Sequence, residues 1–408
     1  MISRVSTFTQ YQNLTSSLMR KQSMINETNE QLATGKRMQT AGDDPVASVS
    51  TQNYKQQLVQ IDQYQKSITL AGNRLGSLET ALSGAENYID STKQKVIGMI
   101  NGAMAGDDKT AFKSELESLY QGLIDLANSQ DEGGNYIFAG NQVNQMPFVA
   151  DAQGNVQYLG DTGHRQARVD QSVFVNTSQP GQKVFMAVEN PFGDFRPEYQ
   201  GLQPESGLTL LSATNQDPND TTQYRVAFVE NAAGEMQYEL YDDSSNTLLG
   251  SGAYDATAGI QYSDPAPGSQ ISLNFQFDGD IKPNDSVTLE PEKTISLFDS
   301  IKNAIDYAEM PASSSEARAS LQRTIEELNA GYVHMNQRRS DVGVGLKQLD
   351  TFEEQHKDFE LTLSAAKGNL EDTDYSEAII EMNQNLLAMQ AAQAAFNKAK
   401  ELTLFNYL

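Results

Sequence analysis

Cysteine and tryptophan are missing from this 408-residue chain, and histidine occurs three times. Without cysteine there is no disulfide, no thiolate nucleophile and no thiolate zinc site. Three histidines leave little material for general-base or metal chemistry. Positive charge is scarce as well: 29 Lys and Arg stand against 54 Asp and Glu, a net charge of −25. A protein that tracks nucleic-acid phosphates needs the opposite balance. No run approaches the ~20 apolar residues of a membrane-spanning helix. The opening M-I-S-R-V-S-T-F-T-Q lacks the apolar core of a cleavable signal peptide. Neither H-E-x-x-H nor G-x-x-x-x-G-K-[ST] occurs. The expectation is a protein that is not an enzyme and holds no metal or cofactor.

Proline is absent from long stretches at both ends. Of the twelve prolines, ten lie between Pro147 and Pro291, and only Pro45 and Pro311 lie outside. Proline is costly inside a helix, so the outer segments are free to form long helices and the middle is not. Charge divides the chain the same way: residues 1–134 carry −3, residues 135–292 carry −15 and residues 293–408 carry −7.

The outer arms repeat apolar residues at alternating steps of three and four, the spacing of a helix with one stripe against a partner. Leu75, Leu78, Leu82, Ala85, Ile89, Thr92 and Val96 form one such stripe, and Leu349, Phe352, His356, Phe359, Leu363, Ala366 and Leu370 another. Phe112, Leu116, Leu119, Leu123 and Leu126 form a shorter one. Asp44 as N-cap and Pro45 at the first helical position mark the start of a long helix running to about Gly102. In the middle, Tyr136–Ala139, Lys183–Val188, Tyr224–Val229, Met236–Tyr241, Ile271–Phe277 and Ser286–Glu290 read as short antiparallel strands between Asn/Asp/Gly/Pro clusters. The expected fold class is α+β: an elongated antiparallel helical bundle or coiled coil formed by both chain ends, with an inserted mostly-β domain. Its divisions are 1–40 with 372–408 as a terminal helical hairpin, 41–134 with 293–371 as a long helical rod, and 135–292 as the β domain. Gly343 and Gly345 each cost ~1 kcal/mol against Ala inside the return helix, so local propensity favours a break there; either packing overrides it or this is a compliant point in the rod.

Charge is also missing from the two ends. None lies between Arg4 and Arg20, and none between Glu381 and Lys398. The C-terminal stretch is rich in Ala, Leu, Met and Gln, strong helix formers, with apolar residues on most faces. Such a helix calls for burial on most faces, more than one partner helix provides. A stripe of Leu14, Leu18, Ile25 and Leu32 is expected to zip against Ile379, Met382, Leu386, Met389 and Phe396, with Leu402, Leu404 and Phe405 extending an interface with further copies of the chain.

Three segments carry a resemblance. L-A-T-G-K-R-M-Q-T-A-G-D-D-P-V-A-S (Leu32 to Ser48) is similar to the signature after the first helix of bacterial flagellins and their axial relatives, with Gly35, Asp43, Asp44 and Pro45 as its turn and cap residues. R-R-S-D-V-G-V-G-L-K-Q-L-D (Arg338 to Asp350) resembles the flagellin return helix. L-E-D-T-D-Y-S-E-A-I (Leu370 to Ile379) resembles the start of the terminal helix, with Asp374 and Glu377 at capping-box spacing. The start M-I-S-R-V-S-T, the close L-T-L-F-N-Y-L and N-Y-I-F-A-G (Asn135 to Gly140) look more like the hook–filament junction members of the family than its filament members. That resemblance implies a structural adaptor exported through the flagellar type III channel to the extracellular flagellum. It further implies a ring of about eleven copies between hook-associated protein 1 and flagellin, and a cytosolic export chaperone guarding the C-terminal helix. The alternatives are filament flagellin itself, or an axial protein whose β insert is an exposed ligand- or glycan-binding module with Tyr238, Tyr241 and Tyr254 as its platform. His164 is expected in a solvated loop, and His356 in a buried or half-buried structural role. The Asp-rich turns of the insert (Asp217, Asp220, Asp242, Asp243, Asp278, Asp280, Asp285) fit calcium, though turn chemistry explains the same residues.

Overall fold

A computed structural model describes residues 7–101, 106–308, 310–311 and 314–401. The fold is α+β, and the chain divides into two compact units: residues 1–66 with 351–408, and residues 67–350. We call them the terminal and central units.

Helix α1 spans Thr7–Thr34 and α2 spans Pro45–Asn101. The start of α2 follows from its cap: the Ala47 amide donates to Asp44 Oδ1 at 3.0 Å, and Pro45 occupies a position where no amide is needed. Helix α3 (Gly106–Ala127) follows. In the central unit the α2 stripe is closed to water, with Leu78, Leu82, Ala85, Ile89, Thr92 and Val96 all fully buried. Leu116 and Leu123 of α3 are buried too.

Small hairpins come next in the chain: β1 (Phe148–Ala150) with β2 (Val156–Tyr158), then β3 (Gln166–Arg168) with β4 (Phe174–Asn176). Two expected strands are absent. Tyr136–Ala139 is a turn, because the Tyr136 amide donates to Val143 O (2.9 Å) and the Ile137 amide to Ser129 O (3.0 Å). Its consecutive residues Ile137, Phe138 and Ala139 are all buried, unlike the alternation of a half-buried strand. Lys183–Val188 is not one strand either. It begins inside a short helix α4 (Gly181–Phe185) launched after Pro180, and only then gives β5 (Val188–Glu189). Phe138, Phe185, Phe148 and Phe298 pack as one aromatic cluster, with ring centroids 5.1 to 5.6 Å apart.

The remaining strands are β6 (Phe195–Gly201), β7 (Thr209–Asn215), β8 (Tyr224–Glu230), β9 (Met236–Asp242), β10 (Thr247–Ala253), β11 (Ile260–Ser263), β12 (Ser272–Asp278), β13 (Ser286–Pro291) and β14 (Thr294–Ile295). They form an antiparallel five-stranded sheet, β10-β9-β8-β13-β6, and a three-stranded sheet, β11-β12-β7, while β14 pairs with β5. The sheets enclose one core of alternating residues, including Tyr224, Val226 and Phe228 of β8 and Leu273, Phe275 and Phe277 of β12.

Helices α5 (Leu297–Ala308), α6 (Ser315–Glu371) and α7 (Tyr375–Glu401) complete the chain. Buried ion pairs fix β6 to α6: Arg196 Nε lies 2.7 Å from Glu327 Oε1, and Arg323 Nη1 lies 2.7 Å from Glu198 Oε1. Helix α6 runs through Gly343 and Gly345 without the expected break. At Gly345 an added Cβ would sit 3.1 Å from Leu75 Cδ1, so the glycine admits a close approach of α2; at Gly343 a Cβ would meet nothing. Packing along the helix outweighs the propensity loss at both positions. The second sequence stripe is less closed than the first: Leu349 and His356 are buried, but Phe359 is 54% exposed rather than covered.

Candidate assembly surface

In the terminal unit α1 and α7 run antiparallel. The turn after α1 fixes their ends. Gly35 adopts φ +69°, ends the helix through its amide to Gln31 O (2.8 Å), and leaves 2.9 Å between its missing Cβ and Tyr375 Oη. The Thr373 amide then donates to Gly35 O at 3.0 Å, and the Arg37 amide to Glu371 O at 2.8 Å. Asp43 holds the following loop, accepting from the Gln39 and Thr40 amides at 2.9 and 2.8 Å. Those bonds keep its carboxyl below the usual range. On the other strand of the connection, Asp374 caps α7 by accepting from the Ser376 amide (2.8 Å) and the Glu377 amide (3.2 Å).

Glu371 organises this end, and nothing in the sequence patterning singled it out. It is buried, with Lys36 Nζ at 2.8 Å and Lys55 Nζ at 2.9 Å. The Lys36 hydrogen bond lowers its carboxyl against the opposing effect of burial, and Lys55 adds to the lowering.

Along the seam the facing residues of α1 are Leu14, Leu18, Lys21, Ile25, Thr28 and Leu32, all buried or half-buried. Those of α7 are Ala378, Met382, Asn385, Met389, Ala392 and Phe396, also buried or half-buried, with Leu386 half-buried beside them. Ile379 does not face α1; it is 45% exposed. One residue is ~100° of helix rotation, and the facing position belongs to Ala378. Ala378, Asn385, Lys21 and Thr28 were missed because a filter for large apolar residues passes over small and polar ones. Their steps of four and three were the available signal. Lys21 Nζ donates to Asn385 Oδ1 at 2.9 Å, while Asn385 Nδ2 is buried with no partner. Leu402, Leu404 and Phe405 lie outside the described residues.

The open faces of the same helices carry large apolar residues among polar ones. Met19, Met24, Ile379, Ile380 and Leu387 are all exposed, Met19 and Leu387 by about two thirds (68% and 66%). They flank or lie within segments that carry no charge.

Bacterial flagellin sequences match both ends: their N-terminal helical region matches residues 5–143, and their C-terminal helical region matches residues 325–408. The chain belongs to the bacterial flagellin family. Two relatives in that family are each named flagellar hook-associated protein 3. The one from Salmonella typhimurium is 28% identical over 211 residues, covering 52% of this chain and 65% of its own length. The one from Escherichia coli is 29% identical over 185 residues, covering 45% and 57%. The chain therefore spans less than two thirds of either. Solved structures share the fold: FlgL of Xanthomonas campestris (TM-score 0.62, 23% identity, 77% of this chain and 99% of that one) and flagellar hook-associated protein-3 of Legionella pneumophila (0.64, 22%, 78% and 98%).

The central unit offers rival chemistry less support. Among the described residues no group of three or more His, Asp or Glu is placed to hold a metal ion, and no helix is long and apolar enough to cross a membrane. The Asp-rich turns have internal bonds: Asp217 accepts from the Asn219 amide, Asp242 from the Ser244 amide, and buried Asp285 from Gln203, Ser206 and Lys282. Tyr254 packs edge-on against Phe228 at 5.0 Å and donates to Phe277 O, Tyr241 lies under Arg225 at 4.5 Å, and Tyr238 packs on the sheet core. His164 is exposed; His356 is buried and stacked on Tyr64 at 5.5 Å.

Proposed function

We propose that this chain is a structural adaptor of the bacterial flagellum, joining the hook, through hook-associated protein 1, to the flagellin filament. It polymerises through α1 and α7, is exported by the flagellar apparatus, and is escorted beforehand by a cytosolic chaperone on the C-terminal helix. The observation that carries this reading is the set of large apolar side chains left exposed in and beside the uncharged stretches of two helices that already share a seam. One intrachain seam leaves Leu387 and Ile380 in water, at a cost of ~1.5–3 kcal/mol for each large apolar side chain kept from burial. Identical neighbours cover such faces without placing like charges together. Met19 and Met24, exposed on α1, are unbranched and adaptable, which suits contacts with dissimilar lattices on two sides. The names of the hook-associated relatives support the junction over the filament.

Leu387→Asp is the direct test. The residue is exposed in the single chain, so the variant folds and melts as the wild type does, yet it fails to restore motility in cells lacking the wild-type protein. Motile cells carrying Leu387→Asp would overturn the assignment of this face. Long filaments grown from the wild-type chain alone would identify a filament subunit instead.

A further inference from the structure

The central unit brings two basic side chains and a histidine to one cavity. In a chain with 29 basic against 54 acidic residues, His164, Lys183 and Arg338 line one cavity of about 210 Å³ that contains a single carboxylate, Asp341. The groups come from distant segments: the loop before β3, helix α4 and helix α6. Backbone bonds anchor the segments of Lys183 and Arg338 and leave their side-chain charges available. His164 Nδ1 lies 3.2 Å from Ser178 O, the Lys183 carbonyl lies 2.9 Å from His334 Nε2, and Gln179 Nε2 donates to the Arg338 carbonyl at 3.0 Å. Neutralisation is incomplete. Arg338 reaches Asp341 only at 3.4 Å, and its Nε is buried with no partner. Among the described residues no carboxylate lies within ion-pair distance of Lys183.

We propose that this cavity binds a carboxylate, and that in the polymer the carboxylate belongs to an acidic side chain of a second copy of this chain. The second half rests on the polymerisation proposed above. The planar fork of a guanidinium fits a carboxylate, and a lysine beside it adds charge without a competing acceptor. Charge complementarity selects the occupant: a neighbour of net charge −25 presents mostly carboxylates, and copies that repel elsewhere associate through a compensating positive seat.

The site is tested first on the full chain held as a monomer by Leu387→Asp. Acetate and inorganic phosphate are titrated separately at constant ionic strength, following the His164 ring resonances by NMR. Acetate is expected to give a saturable shift, weakened about tenfold in Arg338→Gln and in Lys183→Gln, as loss of one charged hydrogen bond requires. Lys183 is exposed, so that variant keeps the wild-type melting curve. No saturable shift, or affinity in both variants unchanged from the parent chain, overturns the site; binding of phosphate but not acetate overturns its carboxylate chemistry. The neighbour is tested on the chain without Leu387→Asp. Lys183→Gln is expected to polymerise more slowly than the wild type, and saturating acetate to slow the wild type equally. Acetate binding with wild-type polymerisation of Lys183→Gln overturns the second-copy occupant alone. Polymerisation of Leu387→Asp overturns the assembly face, and the titration of Arg338→Gln against the wild-type chain still reads the cavity.

Discussion

The 67–101 stretch of α2 and the α1/α7 pair are built from the same helical spacing and differ in what the spacing carries. On α2, Leu78, Leu82, Ala85, Ile89 and Val96 are fully buried in succession. Across α1 and α7, the buried side chains among the described residues are Ile25 and Ala378 with the polar Thr28 and Asn385, each still slightly exposed. Periodicity places a stripe, but the size and polarity of the stripe decide whether it closes by itself. A stripe of Leu and Ile buries ~1.5–3 kcal/mol per residue. A stripe with Asn385 and Lys21 at its centre sacrifices part of that gain and retains a single paired arrangement, Lys21 Nζ on Asn385 Oδ1.

The largest expected effect comes from cutting the closed stripe. Leu82→Ala should cost about 2–5 kcal/mol in urea unfolding of the central unit, while a cut of similar size at half-buried Leu18 should cost clearly less. Equal costs would erase the contrast between the two regions. Asn385→Leu should slow amide exchange in α1 and α7 of the monomer, because it removes a buried Nδ2 whose lack of a partner costs ~1–3 kcal/mol. It should also permit shifted pairings, seen as heterogeneous cross-links. Smaller still, Gly343→Ala should stabilise the central unit by about 0.5–1 kcal/mol, since its Cβ meets open space. Gly345→Ala should gain less because Leu75 stands at 3.1 Å. Calorimetry of the two variants gives the comparison.

Acid should separate the regions in a further way. Glu371 is lowered by Lys36 in the folded chain, so its contribution is fully present above about pH 4.5 and is lost as pH falls through the lowered folded value. His334 is also lowered, by burial first and by the nearby Arg338 and Lys183 charges, with the Lys183 carbonyl opposing. Its contribution is present above about pH 6.5 and is lost as pH falls through its folded value. Acidification from pH 7 should therefore loosen the surroundings of α4 before the Gly35 turn. Amide exchange as a function of pH reads both, and Glu371→Gln should remove the lower transition.

Much of this was legible in the sequence where local chemistry and tertiary packing agree. Asp44 and Pro45 marked the start of α2, Asp374 that of α7, and alternation marked β8, β9, β12 and β13. The failures lie where tertiary contacts overrule local pattern. Tyr136–Ala139 has strand composition but sends its amides to Ser129 and Val143. Gly343 and Gly345 look like a helix stop, yet α6 continues. At the candidate surface, Ile25 is buried and Leu14, Leu18, Leu32, Met382, Leu386, Met389 and Phe396 are half-buried, whereas Ile379 turns outward. Asn385 and Glu371 were invisible because their roles depend on Lys21, Lys36 and Lys55, more than 300 residues away in the chain.

The backbone bonds from Thr373 to Gly35 and from Arg37 to Glu371 give the two paired helices a common origin, and the Lys21–Asn385 rung sits about 20 Å further along. Length changes should be felt very unequally on the two sides of that origin. A residue added among Gln39–Gly42 enlarges a loop and leaves both helices in phase. A residue added between Asp374 and Ala378 swings everything after it by about 100°, sending Asn385 into solvent and bringing a different set of side chains to the seam. Natural insertions and deletions should accordingly collect in the first place and be purged from the second.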